Sequence, residues 1–412
     1  MSECSIMTRC FESLLLLGIL LSSFGSVLSY HPPLGVIKDI INLFVLLISI
    51  YLLLSNNNRY SKKIISFFLI FLFYFLFHLV SYTSIENIID GGRFHLIYIV
   101  SYVLIALRLD LVYGKGFYLI VKVMFYSGCL VTLIAVYEYF DPTIIEFMYG
   151  VPQTDIPNIK LPIGYRLIST MLNPINLGAY LCFFISVGYL LYIKAMINRF
   201  FFYFAICTAL VVIFFTLSRL AFLTAIVLLS VIFILEFRRS FKFRLCAIPT
   251  ICLAGFFLIP LIYSSFDDLR ILERMLSSFD SNTLSENSRM ENWSLALSNL
   301  DDILKIIWGL GIGVVRAGGD EDTLLAENTF VGIFIEFGIL GMALYLFFIF
   351  LLVMYNIKLK RIDLELYQFN MLFFFSFFAL SLGNDMYTNY PFVLYFWFFS
   401  SYLVSFGLTK KE

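Results

Sequence analysis

Apolar runs near the length needed to cross a bilayer recur along almost the whole chain. A hydrocarbon layer about 30 Å thick takes about 20 helical residues. Runs of that kind lie at 14–30, 35–54, 64–83, 94–109, 117–140, 174–193, 200–217, 220–236, 245–263, 328–355, 367–385 and 391–408. The pattern predicts an all-α polytopic membrane protein, one transmembrane domain over 1–412 with about 12 transmembrane helices.

Polar positions gather in two longer connections, 141–172 and 264–326. The first contains Pro142, Pro152, Pro157 and Pro162, and Pro174 opens the helix that follows. The second has its own helical periodicity. Phe266, Leu269, Leu272, Met275, Leu276 and Phe279 share one predicted face, and Trp293, Leu297, Leu300, Leu304, Ile307 and Trp308 share another. Ser288-Arg289-Met290-Glu291 reads as a capping box at the start of the second helix. Two amphipathic helices are therefore expected to lie across one face of the bundle.

Basic residues set the orientation. With the N-terminus inside, Arg9, Arg59, Lys62, Lys63, Arg108, Lys115, Lys194, Arg199, Arg238, Arg239, Lys242, Arg244, Lys358, Lys360, Arg361, Lys410 and Lys411 fall on the cytoplasmic side. Only Lys38, Arg93, Lys160, Arg166 and Arg219 fall in short outer loops. This asymmetry predicts both termini cytoplasmic and 141–172 and 264–326 as periplasmic loops. It also requires 200–237 to cross twice, because Arg199 and Arg238 both belong inside; the turn then falls near Ser218-Arg219.

Composition agrees: 61% of the 412 residues are hydrophobic and 14% charged, which excludes a soluble globular domain. The net charge of zero conceals the asymmetry. The seven cysteines show no CxxC spacing and leave the polar loops empty, so neither disulfides nor a metal site is expected. Leu14 to Tyr30 imitates a secretory signal, but its length and the spans that follow favour a first helix.

Candidate chemistry sits at the outer ends of the helices. An arginine within a span costs about 2.5–3.5 kcal/mol on insertion scales and commonly marks a substrate path or a buried pair. Arg219 is either such a residue or a turn arginine reaching to headgroups. Arg166 is a phosphate contact or a loop ion pair. Asn173 with Pro174 reads as an N-cap and N1 pair, and Asn176 follows it. Arg289 falls in a first helical turn, where the dipole disfavours a cation unless an anion binds there; the alternative is an ion pair with Glu286 or Glu291.

Glu327 is a general base or a first-turn carboxylate stabilised by the helix dipole. Asn328 and Thr329 could cap. Glu336, nine residues after Glu327, faces the opposite side of a straight helix, which excludes an acid–base dyad and favours a structural role. Trp308-Gly309-Leu310-Gly311-Ile312-Gly313 has no preceding strand and no following GK[ST], so it is no nucleotide loop. His31, His78 and His95 are scattered.

Together these pieces resemble the bacterial O-antigen polymerase and ligase superfamily, the Wzy-type polymerases and their lipid A-core ligase relatives. Arg166 with Asn173-Pro174-Ile175-Asn176-Leu177-Gly178 carries the likeness, followed by Leu217-Ser218-Arg219, Arg289 with Trp293, Trp308-Gly309-Leu310-Gly311, Glu327-Asn328-Thr329-Phe330 and Glu336-Phe337-Gly338-Ile339-Leu340-Gly341. The first 150 residues match in hydropathy alone.

The resemblance implies a glycosyltransferase of the inner membrane. It would act in the periplasm on undecaprenyl-pyrophosphate-linked oligosaccharide repeat units among the membrane lipids, without metal or other cofactor. No nucleic-acid partner is expected, and a chain-length regulator is the candidate protein partner. Arg219 and Arg289, joined by Arg166, would neutralise the diphosphate; Glu327 would act on the acceptor hydroxyl; Asn176 and Asn328 would contact substrate. Ligases of this group place histidine where this chain has Glu327, which favours a polymerase. The alternatives are a ligase-type transferase, differing in acceptor, and a lipid-linked oligosaccharide flippase, against which the outer clustering of polar candidates counts.

Overall fold

The computed structural model describes residues 16–31, 115–152, 164–239, 288–315 and 326–409, with scattered positions from 36 to 47 and at 74, 78, 156, 160, 161 and 324. Their helices are α1 (Gly25–Tyr30, continuing a helical stretch over 16–22), α2 (Lys115–Phe140), α3 (Thr143–Tyr149), α4 (Pro174–Ile193), α5 (Arg199–Phe215) and α6 (Arg219–Arg239). There follow α7 (Ser288–Ser298), α8 (Ile303–Trp308), α9 (Thr329–Leu359), α10 (Leu364–Ser381) and α11 (Phe392–Thr409). Among the described residues the one sheet is a minimal hairpin, β1 (Lys160–Leu161) with β2 (Gly164–Tyr165).

Five of these helices, α2, α4, α6, α9 and α10, are long and apolar enough to cross a membrane, and α5 and α11 are shorter apolar helices. The chain is a multi-pass membrane protein. Predicted spans at 94–109 and 245–263 and the amphipathic helix over 266–279 lie outside the described residues, as do most of 35–54 and 64–83.

The bundle is organised around α4. Its sequence is apolar on every side, and a helix of that kind is stable only when surrounded. It packs against α2, α5, α6 and α10 and is buried along nearly its whole length. Gly178 makes one of these approaches possible, since a Cβ there would lie 2.6 Å from the Ala221 Cβ and 3.3 Å from the Thr216 Oγ1. Small residues at helix contacts serve this purpose in membranes, where packing replaces the hydrophobic drive. The outward faces of α5 and α6, including Phe204, Val211, Ile226 and Ile234, remain exposed.

The hairpin inferred from Arg199 and Arg238 is present: α5 and α6 are joined by a three-residue turn, and Arg219 begins α6. At the opposite end of the bundle, Lys194 pairs with Asp363 at 3.0 Å and Glu365 at 2.9 Å, and Arg239 with Glu365 at 3.4 Å.

Two predicted elements need correction. The single amphipathic helix expected from Ser288 to Trp308 is two, α7 and α8. Asp302 ends the run by turning extended and accepting a hydrogen bond from the Leu304 N–H as the N-cap of α8. Its apolar face is also only partly right: Leu300 is buried, whereas Leu297 and Leu304 are exposed.

The apolar run 328–355 is likewise interrupted. Gly338 has φ 64° and ψ −165° inside α9, a conformation closed to side-chain-bearing residues. The break opens the helix's hydrogen bonding, and other groups fill it. Leu310 N–H donates to the Ile335 carbonyl at 2.8 Å, Gly311 N–H to the Glu336 carbonyl at 3.0 Å, and the Tyr74 hydroxyl to the Phe337 carbonyl at 2.7 Å.

Candidate functional site

One end of the bundle gathers polar backbone and side chains from several elements. It is assembled first around Glu138, a buried carboxylate near the C-terminus of α2. Glu138 accepts from the Ser169 N–H at 2.7 Å, the Ile168 N–H at 3.0 Å and the Tyr165 hydroxyl at 2.8 Å. The Tyr149 hydroxyl donates to the Ser169 carbonyl and accepts from the Leu172 N–H, both at 2.9 Å. These bonds satisfy a loop that would otherwise bury orphan backbone groups, and they hold Ser169 and Leu172 at φ 47° and 61°.

Arg166 is fixed in that loop. It is 6% exposed, and its Nε donates to the Thr216 carbonyl at 2.9 Å. Beside it the Leu167 N–H donates to the Phe215 carbonyl at 3.3 Å. The loop is thus stitched to the turn that carries Arg219, and Leu217 in that turn has φ 52°. A guanidinium has five N–H donors in a rigid fork, so an anchoring bond at Nε also sets the direction of the fork.

Asn173 caps α4 as its sequence predicts, accepting from the Ile175 N–H at 2.8 Å. Asn176, one turn on, accepts from Asn384 Nδ2 at 2.8 Å. Asn384 opens the loop between α10 and α11, and the same loop receives the start of α9. Asn328 is the N-cap of α9: its Oδ1 accepts from Phe330 and Val331 N–H at 2.9 and 3.2 Å, and its Nδ2 donates to the Leu382 carbonyl at 3.0 Å. Thr329 donates to the Asn384 carbonyl at 3.2 Å and accepts from the Met386 N–H at 2.9 Å. Asn328 therefore caps α9 through its Oδ1 and ties that cap to the end of α10 through its Nδ2.

Glu327 stands differently from its sequence reading. Because Asn328 is the cap, the carboxylate precedes the helix instead of lying in its first turn, and its backbone is left-handed at φ 45°. Sparsely populated backbone conformations in non-glycine residues cost of order 1–3 kcal/mol and cluster at functional sites. Four of them, at Ser169, Leu172, Leu217 and Glu327, fall in the loops of this end.

Arg289 lies in the first turn of α7, about one helical turn before Trp293. The Trp293 indole N–H donates to the Ala326 carbonyl, adjacent to Glu327. α7 is therefore tied to the approach to α9. Glu336 has the structural role expected of it, through backbone partners: buried, its Oε1 accepts from the Gly313 N–H at 2.9 Å and the Val315 N–H at 3.2 Å.

Sequence reasoning missed the loop after α10. Asp385 adds a second carboxylate here, accepting from the Tyr387 N–H at 3.2 Å and from the Thr388 hydroxyl. The adjacent Asn384-Asp385 pair, interrupting aromatic-rich sequence, was the available signal. It also missed Glu138, a lone acid near the end of a span, which intramembrane cost alone marks for attention.

No curated protein matches the chain. A family model described as O-antigen ligase matches residues 204–346, about a third of the chain. The matched segment holds Arg219, Arg289, Glu327 and Asn328, together with the Glu336 anchor and the Gly338 break, while Arg166, Asn176 and Asp385 lie outside it. Residues 204–346 are thus similar to the O-antigen ligase family, and the likeness is carried by that segment alone.

Proposed function

We propose that this protein is a surface-polysaccharide polymerase. It joins undecaprenyl-diphosphate-linked oligosaccharide repeat units at the periplasmic face of the inner membrane. The observation that carries the reading is the stitching of the Arg166 loop to the Arg219 turn, which brings two arginines from distant sequence to one polar end of the bundle. Basic-residue asymmetry assigns that end to the periplasm.

Arg219 and Arg289, with Arg166, bind the donor diphosphate. Planar guanidinium forks match its oxygens and stabilise the charge that grows as the bond from diphosphate to the anomeric carbon breaks. Glu327 takes the proton of the acceptor hydroxyl, or orients that hydroxyl, as its oxygen bonds to the anomeric carbon. Asn176 and Asn328 hold the loops that frame the substrates. α7 and α8 cover the site from the aqueous side.

A ligase would run the same chemistry on a different acceptor, and the glutamate at 327 in place of histidine supports the polymerase. Gel analysis of lipopolysaccharide from a deletion strain separates the readings. A polymerase leaves core carrying one repeat unit and no ladder. Core with no repeat unit, over accumulated lipid-linked polymer, means a ligase, and repeat units trapped in the cytoplasm mean a flippase.

A further inference from the structure

Away from the Arg219 turn, an apolar groove of about 570 Å³ opens between α5 and α6. Tyr203, Ile206 and Leu210 line it from α5, and Leu229, Ser230 and Phe233 from α6. That volume falls within the roughly 300–1,000 Å³ of small-molecule sites. The lining on α6 begins ten residues past Arg219 and ends at Glu236. At 1.5 Å per residue this is about 15 to 25 Å along the helix, in the far half of a hydrocarbon core about 30 Å thick.

The far mouth of the groove is cationic. The Arg199 guanidinium stands 5.5 Å from the centroid of the Tyr203 ring, itself a lining residue. Arg238 and Arg239 end α6 at the same level and are exposed, Arg239 meeting Glu365. Glu236, the acid of the lining, is 3% exposed and accepts from the Tyr189 and Tyr192 hydroxyls at 3.4 and 3.1 Å. Its carboxylate thus bonds into the bundle, toward α4, while Arg238 and Arg239 are exposed, Arg239 also donating to the Ile193 carbonyl at 3.5 Å. An apolar slot below and a cluster of guanidinia at the interface complement an acyl chain joined to a phosphodiester.

We infer that this groove binds an anionic glycerophospholipid of the leaflet remote from Arg219. One acyl chain lies along Ile206, Leu210, Leu229 and Phe233, and the phosphate meets Arg199 and the end of α6. A filled groove replaces contacts that the two helices do not make with each other across it. The lipid would thereby support the hairpin whose turn presents Arg219.

Full-length protein, stripped of lipid in detergent and titrated with dioleoylphosphatidylglycerol, tests this by native mass spectrometry. One tightly held lipid per chain is expected. Ser230→Trp, filling the groove from an exposed position, should abolish it. Arg199→Gln, which removes the cation beside the Tyr203 ring without filling the groove, should weaken it about fivefold, the worth of one interfacial cation. Unchanged binding in both variants overturns the site. So does displacement of the phospholipid by equimolar undecaprenyl phosphate, which would give the groove to a polyprenyl chain.

Discussion

Replacing Gly338 with alanine attacks the joint between the outer segment and the membrane helix. An added Cβ would lie 2.3 Å from the Ile307 carbonyl oxygen and 2.6 Å from the Gly309 nitrogen, both backbone atoms with no side chain to swing away. The φ of 64° with ψ −165° adds backbone strain of about 1–3 kcal/mol. Overlap in a packed contact typically adds about 1–3 kcal/mol more. The sum, about 2–6 kcal/mol, falls on the contact between α8 and α9, including the bonds from Leu310 and Gly311 to Ile335 and Glu336. Gly332, on the same helix, is the control. A Cβ there meets Val315 Cγ1 at 3.6 Å and Ala326 Cβ at 3.8 Å, ordinary contacts, and alanine in a helix is favoured over glycine by about 0.5–1 kcal/mol. Limited proteolysis of the outer segment in right-side-out spheroplasts should show faster cleavage for Gly338→Ala and unchanged or slower cleavage for Gly332→Ala. Equal rates for Gly338→Ala and wild type would refute the close-approach argument.

Asn328→Ala should lower thermal stability in detergent by about 1–2 kcal/mol from the lost cap and leave the Leu382 carbonyl without its donor. Asn328→Asp keeps the cap and should recover part of that loss; equal melting of alanine variant and wild type would contradict the cap. Glu327→Gln should remove most polymerisation by purified protein while leaving its melting temperature within a degree or two of wild type, and Glu327→His should be partly active. A fully active Gln variant rules out proton transfer through this side chain.

Much of the frame was legible from the chain. Arg199 and Arg238 flank an apolar stretch too long for one span, and that charge placement gave the α5–α6 hairpin and its turn at Arg219. Asn173-Pro174 announced the start of α4, because cap and N1 chemistry is local. What stayed hidden depends on partners far along the sequence. Glu138 reads as one acid in an apolar run until the backbone of Ile168 and Ser169 meets it. Gly338 reads as a tolerated helix glycine until Ile307 and Gly309 press against it. Glu327, read as a first-turn carboxylate, stands two positions before the first helical residue, because of the two cap candidates it is Asn328 that accepts from Phe330 and Val331. The Asp302 cap was readable and would have divided the long amphipathic helix.

Arg219 tests the central claim most directly. Purified protein supplied with undecaprenyl-diphosphate-linked repeat units should extend them into polymer, read as a ladder on a gel. Losing a donor to transition-state charge costs about 10²–10³ in rate, so Arg219→Ala should lose the ladder while melting like wild type. Arg219→Lys should recover little, because a point charge cannot supply the bidentate fork. A ladder of wild-type length and rate from a folded Arg219→Ala variant would contradict the account, reducing this arginine to a headgroup anchor.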